Sequence, residues 1–404
     1  MSKKREKVYA IRDSRHEERG VPILLRWMIG FYFLLAFFEP YLNGAIGSVT
    51  KYYIFLLMGA IVFVMKNVRL RFYHYTFIVW FLYKAISISW ALDTSMFQLH
   101  IVSQIGMVAL LICMTMISVD IKTIDTIVKA MWLGSLAIGT LSIFFSRPYH
   151  GEVENRMVLY LWGSEADPNN QAAFLVVGIA IAFYYLVCLK EYKLLSIATI
   201  LINFYSTMLT GSRGGLVTFL VLVFVFVALN YKKERVIKYI NRLLLIGFLV
   251  IVGYVLLKKF LPLDIYNRLF LFEDYVGGSE RDAIWRNTID LILSNWAYPI
   301  FGAGWGSYFG YNGFYDSVHN TFLSIFCDTG VIGATLFFVP IMIIAYNLFK
   351  RKEILPTSIL AAGLVPSLFI EAINKRFFWN ALIFTIMVYN YRNQLFKKKN
   401  RYDE

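Results

Sequence analysis

Apolar residues run through this chain in blocks too long for strands and with too few polar breaks for the helices of a water-soluble fold. A helix needs about 20 mostly apolar residues to cross a bilayer. Runs of that kind predict spans at 22–42, 52–65, 72–91, 100–118, 124–146, 171–189, 193–210, 214–230, 240–260, 320–348, 355–371 and 377–391. About twelve spans put both termini on the same side of the membrane. Most connections between them are short, but two are long, at about 147–170 and 261–319. Long ordered loops beside compact helices are usually functional. The pattern predicts an all-α polytopic membrane protein.

Composition agrees. Of 404 residues, 58% are hydrophobic and 16% charged, with a mean hydropathy of +0.59. Soluble chains run near 45–50% apolar and 25% charged. The 35 Phe, 27 Tyr and nine Trp suit a protein that anchors at two bilayer interfaces. The three cysteines, Cys113, Cys188 and Cys327, fall in apolar runs and are odd in number, which excludes a disulfide scaffold.

The net charge of +14 changes the picture only through its placement. Basic residues cluster between apolar runs, at Lys3 to Arg19, Lys66 to Arg71, Lys190 to Lys193, Lys232 to Arg242, Lys350 to Lys352 and Arg392 to Arg401. That is the distribution of cytoplasmic loops, and no nucleic-acid motif accompanies it. With both termini inside, and with Lys193, Arg242, Lys258 and Lys259 at span ends counted with the adjoining loops, 26 of the 40 Lys and Arg lie in inner segments, 11 in outer loops and three in spans. The termini are therefore read as cytoplasmic and both long loops as external. The basic segment 1–20 precedes an apolar stretch too long for a signal peptide, so the first helix is expected to be retained.

Four constellations offer chemistry. In Thr210-Gly-Ser-Arg-Gly-Gly215, glycines allow close backbone approach and Arg213 presents a fixed fork to an anion. The bland alternative is an arginine snorkelling from a tight helix–helix turn. From Glu280 to Trp296, helical spacing puts Trp285, Ile289, Ile292 and Trp296 on one face of an amphipathic interfacial helix. Asp282 and Arg286 form an i,i+4 pair opposite, while Arg281 sits at the edge of the apolar face, where a cation needs an anionic partner. Ser317-Val-His319-Asn320 puts at the membrane re-entry point a histidine, a residue type that exchanges protons near neutral pH, or else an interfacial His near a helix start. Asp167-Pro-Asn169-Asn170 reads structurally as an N-cap with proline in the first turn. Lys84 and Glu371 are intramembrane charges and hence candidates, with plain pairing as the alternative. No P-loop, GxGxxG, HExxH, CxxC or GxSxG pattern occurs, so no metal or cofactor is expected.

In order along the chain, Asp167-Pro-Asn169, Gly211-Ser-Arg-Gly214, Arg281 with Trp285, Pro299-Ile-Phe-Gly-Ala-Gly304, His319-Asn320 with Leu323, and Gly330-Val-Ile-Gly333 resemble the O-antigen ligase and O-antigen polymerase superfamily of bacterial envelope proteins. The likeness covers roughly 165–335. It implies a fold like that of membrane-embedded C-type glycosyltransferases. It also implies glycan transfer at the outer face of the cytoplasmic membrane, without metal and with inversion. The donor would be an undecaprenyl diphosphate-linked oligosaccharide. The acceptor would be a sugar hydroxyl, on another lipid-linked repeat in a polymerase or on a lipid-anchored core in a ligase. A flippase and a chain-length regulator are candidate partners. The implied organisation is a tail at 1–20, helices over 21–146, an O-antigen ligase-like core at 147–349, two last helices at 350–392 and a tail at 393–404.

The residues fit this chemistry on their own account. Cleaving a glycosyl–diphosphate bond builds negative charge on the leaving group, and without metal arginines must meet it. Arg213 and Arg281 are the candidates, His319 is the candidate base, and Asn320, Asp167, Asn169, Trp285 and Lys84 are candidate substrate contacts. Tyr308, Tyr311 and Tyr315 are candidate sugar-stacking residues. The rival class is a lipid-linked glycan flippase or transporter, which should instead gather its motifs in interrupted helices near the midplane. A peptidoglycan polymerase would be expected to rely on an outer-loop carboxylate. Polymerase is preferred to ligase because no acceptor-lipid signature is evident.

Overall fold

The structure, a computed structural model, describes residues 21–46, 49–64, 70–150, 156–230, 259–271, 281–313 and 317–402. The described residues form fourteen α-helices and three short strands. The first five helices are α1 (Ile23–Ile46), α2 (Val49–Val64), α3 (Phe72–Ile86), α4 (Ser95–Met116) and α5 (Ile121–Phe145). A hairpin of β1 (Ser146–Pro148), β2 (Met157–Leu161) and β3 (Ser164–Glu165) follows. Then come α6 (Pro168–Phe183), α7 (Lys193–Leu209) and α8 (Arg213–Asn230). The last group is α9 (Leu263–Tyr266), α10 (Arg281–Leu293), α11 (Tyr298–Phe301), α12 (Thr321–Lys350), α13 (Ile354–Leu364) and α14 (Arg376–Tyr402).

Five of these helices are long and apolar enough to cross a membrane, and four shorter apolar stretches of 10–17 residues accompany them. The chain is a multi-pass, largely helical membrane protein. Eleven of the twelve expected spans coincide with helices. The remaining one, 240–260, lies almost wholly outside the described residues, as do the 1–20 tail, Tyr315 and part of the 261–319 loop. Two spans end sooner than their apolar runs suggest. The third stops at Ile86 and tightens into a 3₁₀ turn at Ser87–Trp90. The eleventh stops at Leu364, with a 3₁₀ turn at Pro366–Leu368, which leaves Glu371 in a connector. The described part of the long loop before α6 forms a small antiparallel sheet: β2 pairs with both β1 and β3. Trp162 (φ +50°) and Gly163 (φ +84°) make its two-residue turn.

At the centre stands α6. It is apolar on every side and almost entirely buried, as expected of a helix without a polar face. It packs against α5, α7, α8 and α13, while α12 packs on α3 and α13 on α14. Close approach is written into small residues here. A Cβ at Gly178 would meet the Ser135 hydroxyl at 2.2 Å and the Asn203 amide at 2.6 Å.

The connections sort onto two faces. On one, Arg26 pairs with Asp120 at 3.0 Å and Arg392 with Glu353 at 3.1 Å. On the other lie the hairpin, the α7–α8 turn, the segments 259–271, 281–313 and 317–320, and the α13–α14 connector. Long-range bonds knit this second, site-bearing face together. The Trp90 indole reaches the Gly302 carbonyl at 3.1 Å, and the Leu92 N–H reaches the Ser307 hydroxyl at 2.9 Å.

Glycine decides one further feature. Gly330 (φ +59°) kinks α12, and a Cβ there would meet the Ile300 carbonyl oxygen at 2.4 Å. The kink frees carbonyls of the preceding turn. Those of Cys327 and Asp328 accept from the N–H groups of Ala303 (2.8 Å) and Gly304 (3.2 Å). The glycines of Pro299-Ile-Phe-Gly-Ala-Gly304 therefore serve backbone docking onto a broken helix.

Candidate functional site

The turn between α7 and α8 is the base of the site. Gly211 adopts φ +62°, and a Cβ there would stand 3.2 Å from the Arg268 side chain. Ser212 then accepts from the Gly215 N–H at 3.1 Å and donates to Asn169 Oδ1 at 2.9 Å. Asn169 belongs to the first turn of α6, where Asp167 is the N-cap, accepting from the N–H groups of Asn169 and Asn170 at 2.9 Å each. Asp167-Pro168 thus does what its sequence predicts, and Asn169 is left to face the α8 turn.

Arginines converge on this junction from separate parts of the chain. Arg156, just before β2, donates from Nε to the Thr210 carbonyl (2.8 Å) and from Nη2 to Asn169 Oδ1 (3.1 Å). Arg213, the first residue of α8, donates to the Arg268 carbonyl at 3.1 Å. Arg268 donates in turn to the Gly211 carbonyl at 3.1 Å. Each of these guanidinium groups is thereby fixed through Nε to a main-chain oxygen. Arg281, at the start of α10, joins them electrostatically. Its acidity is raised by burial and by the charges of Arg156, Arg268 and Arg213, with Asp167 opposing. Arg156 shifts the same way, first through burial, with Asp167 opposing and Arg213 adding. Asp167, already committed as an N-cap, opposes the shifts of both Arg156 and Arg281, and the four half-buried guanidinium groups gathered here favour an anion. Such a site suits an anion with several oxygens in reach of planar, multi-donor forks.

His319 is held beside the N-terminus of α12. Its φ is +51°, a strained value for a residue with a side chain. Its Nδ1 lies 3.3 Å from the Ser317 hydroxyl. The preceding peptide is held from α10: the Trp285 indole donates to the Val318 carbonyl at 3.1 Å. Since Trp285 is one turn along α10 from Arg281, this bond ties the histidine segment to the helix that starts with the arginine. Asn320 is the N-cap of α12, accepting from Phe322 at 3.0 Å and Leu323 at 3.1 Å, so its side-chain oxygen has a structural role.

Several expectations need correcting. Of the expected interfacial stripe of α10, Ile289 and Trp296 are exposed, Trp285 is half-buried and Ile292 is buried, while Ile284, Asn287, Thr288 and Leu291 are also buried. The loop folds back on α10 and buries Asn287 and Thr288, which hydropathy assigns to water. Arg286 bonds the carbonyl of Asp282 at 3.2 Å, not its carboxylate. Tyr308 is buried in a small core with Ile284, Leu291, Val318 and Cys327, and so packs the loop. Lys84 does not join the arginines. It pairs with Asp328 at 3.1 Å, both nearly fully buried, and lies 4.6 Å from the Trp305 ring centroid. Asp328 also accepts from the Gly306 N–H at 3.0 Å. This trio anchors the glycine loop.

Sequence reasoning passed over Arg156, Arg268 and Asp328. One signal was available for the first two: an arginine in an expected outer loop runs against the bias that collects basic residues inside. Among the described residues, no group of three or more His, Cys, Asp or Glu side chains has the arrangement of a metal site.

Fold and site together define a multi-pass membrane protein with a cationic site at one end of its helix bundle. Residues 197–338, about a third of the chain, match the family model described as O-antigen ligase, which supports membership of the O-antigen ligase and polymerase superfamily. The match supports a membrane glycosyltransferase activity of that general type. It takes in Arg213, Arg268, Arg281, Trp285, His319, Asn320 and Asp328. Arg156, Asp167, Asn169, Lys84 and Glu371 lie outside it. No curated protein matches the chain.

Proposed function

We propose that the protein transfers a glycan from an undecaprenyl diphosphate-linked donor to a sugar hydroxyl at the outer face of the cytoplasmic membrane, as a polymerase of polysaccharide repeat units. The convergence of Arg156, Arg213, Arg268 and Arg281 near the α7–α8 turn carries this reading. A diphosphate has the charge and the number of oxygens that such a group would neutralise. In this reading the catalytic core is 147–349, the twelve spans leave both termini in the cytoplasm, and the arginines face outward.

This reading implies a single displacement step. The acceptor hydroxyl gives its proton to His319 as its oxygen bonds to the anomeric carbon. The bond from that carbon to the diphosphate breaks, and both electrons leave with the phosphate oxygen. Arg156, Arg213 and Arg268 are already oriented by their main-chain bonds, so they stabilise this growing charge with little reorganisation. Attack from the side opposite the leaving group inverts the anomeric centre. Trp285 and Asn169 are assigned in this reading to the sugar nearest the diphosphate.

The decisive experiment supplies purified protein with lipid-linked repeat units and resolves the products by size. A ladder of products is expected. One shifted acceptor band would make the protein a ligase. No change in product size, with donor moved across the membrane, would make it a transporter.

A further inference from the structure

The hairpin that supplies Arg156 also carries a polar and aromatic patch that the reaction as proposed does not use. The Tyr149 N–H donates to the Arg156 carbonyl at 2.7 Å, which extends the β1–β2 ladder as far as the arginine. Side chains alternate across a strand, so Arg156, Val158 and Tyr160 share one side of β2. On the other side, Leu159 and Leu161 pack into the main core and Met157 onto the smaller core of Met208 and Tyr266. The Arg156 side is thus turned from those cores. Along it Val158 is fully buried, whereas Trp162 at the turn is 57% exposed. This side is covered beside the arginines and open at the far end of β2, roughly 20 Å away at about 3.3 Å per residue.

At the open end the side chains have the chemistry that holds a sugar. The Arg147 guanidinium lies over the Tyr160 ring, 4.6 Å from its centroid, and stays exposed. Stacking orients the fork and leaves its N–H groups to donate. Glu165 is the cross-strand partner of Tyr160. Its Oε1 accepts from the His150 N–H at 3.2 Å. Its Oε2 is buried with no hydrogen-bond donor among the described residues, and the exposed His150 ring lies 3.6 Å away. A buried acceptor in that state calls for a donor from elsewhere. A sugar diol that displaces the imidazole donates to the carboxylate and accepts from the guanidinium.

Trp162 is an independent sign. Its φ of +50° and that of Gly163, +84°, define a turn in which asparagine followed by glycine is the favoured pair. A bulky side chain at that φ is strained, and such strain gathers at binding sites and clamps. The exposed ring is not there for packing, and an exposed indole is a surface on which the C–H face of a sugar stacks.

We propose that Trp162, Arg147 and Glu165 form a subsite for the glycan chain of the donor, beyond the sugar whose bond is cleaved, with Tyr160 holding Arg147 in place. Continuity selects the donor. The strand that begins at the diphosphate site with Arg156 ends at Trp162, so a chain leaving the diphosphate along β2 reaches it. The inference rests on the assignment of the arginines to the donor diphosphate, and extends it to the sugars.

Donors of two lengths test it: the lipid diphosphate carrying one sugar, and the same lipid carrying two repeat units. Each is titrated into purified protein in detergent. Arg147→Ala should raise Kd for the long donor about 10-fold, the cost of a hydrogen bond to a charged group. Trp162→Asn should raise it about 3- to 10-fold, the worth of a stacked aromatic ring. Both variants should bind the one-sugar donor within about twofold of wild type. Because asparagine suits the turn, Trp162→Asn should melt at or above the wild-type temperature while losing long-donor affinity. A membrane anchor or a packing residue does not give that combination.

Arg213→Ala is run beside them. If it loses both donors while Arg147→Ala and Trp162→Asn bind both as wild type does, the hairpin subsite is overturned and the diphosphate site stands. Equal losses for short and long donors in the hairpin variants would also overturn it, since the damage would then have passed along β2 to Arg156. If Arg213→Ala binds both donors normally, the diphosphate assignment falls, and this inference with it.

Discussion

Arg156 Nη2 lies 3.1 Å from Asn169 Oδ1, and the same oxygen receives the Ser212 hydroxyl at 2.9 Å. One amide oxygen thereby fastens the hairpin to the turn that presents Arg213. Because Arg156 also bonds the Thr210 carbonyl, three chain segments distant in sequence are locked at one point. The cationic site is an assembled object, and its parts should fail together.

Loss of any arginine should weaken donor binding. Arg213→Ala and Arg281→Ala are expected to lower transfer by about 10²–10³-fold, the usual cost of a lost donor to a developing anion. Lysine at either position should restore only part of this, since it keeps the charge but loses the planar fork. Arg156→Ala should weaken donor binding in the same direction, although it lies outside the matched family segment. Titration of labelled donor into each variant in detergent checks this. Unchanged affinity in Arg156→Ala would remove the hairpin from the site.

Asn169→Leu should act on geometry more than on charge. It deletes the oxygen shared by Arg156 and Ser212 and leaves the Asp167 cap in place. Removal of a partner from a charged hydrogen bond costs about 1.5–3 kcal/mol. Donor affinity should fall by about 10-fold or more, with melting temperature changing little. A variant that melts early but binds donor normally would show that Asn169 serves only the fold.

Lys84→Met should behave in the opposite way. It strands Asp328 in a buried site, and breaking a buried ion pair costs about 3–5 kcal/mol. The glycine loop loses its anchor, so thermal stability should drop. The double variant Lys84→Met/Asp328→Leu should recover much of that loss, because it leaves no orphan charge. Thermal melts in detergent with donor titration would separate the two effects. A large loss of donor affinity at wild-type stability would return Lys84 to the substrate site.

Much of this was legible in the sequence, and the omissions have physical reasons. Apolar run length located the helices because the bilayer fixes how much each must bury. Helix ends were harder, as at Ile86 and Leu364, because a 3₁₀ turn and a helix carry the same apolar composition. Asp167 was readable as a cap since capping is local. Arg281 was readable as a cation needing a partner. Arg156 and Arg268 were not, because what makes them part of a site is mutual proximity across more than a hundred residues of chain. The inward face of α10 was not legible for a related reason: its buried side is set by the loop folded over it, where Asn287 reaches the Tyr311 carbonyl at 3.3 Å.

The orientation of the site in the membrane is the remaining prediction. Basic residues collect in the segments assigned to the cytoplasm, so the arginine face should be external. Ser294 lies exposed at the end of α10 on that face, and Ser118 lies exposed between α4 and α5 on the opposite one, 3.1 Å from the Gln394 amide. Once Cys113, Cys188 and Cys327 are replaced, Ser294→Cys and Ser118→Cys each supply a single reporter. An impermeant thiol reagent applied to intact cells should label Ser294→Cys and spare Ser118→Cys, and permeabilisation should expose both. Labelling of Ser118→Cys alone in intact cells would turn the bundle over. The arginines would then face the cytoplasm, where a glycan assembled on the outer leaflet could not reach them. The outer-face transferase reading would fall, even if every substitution above behaved as expected.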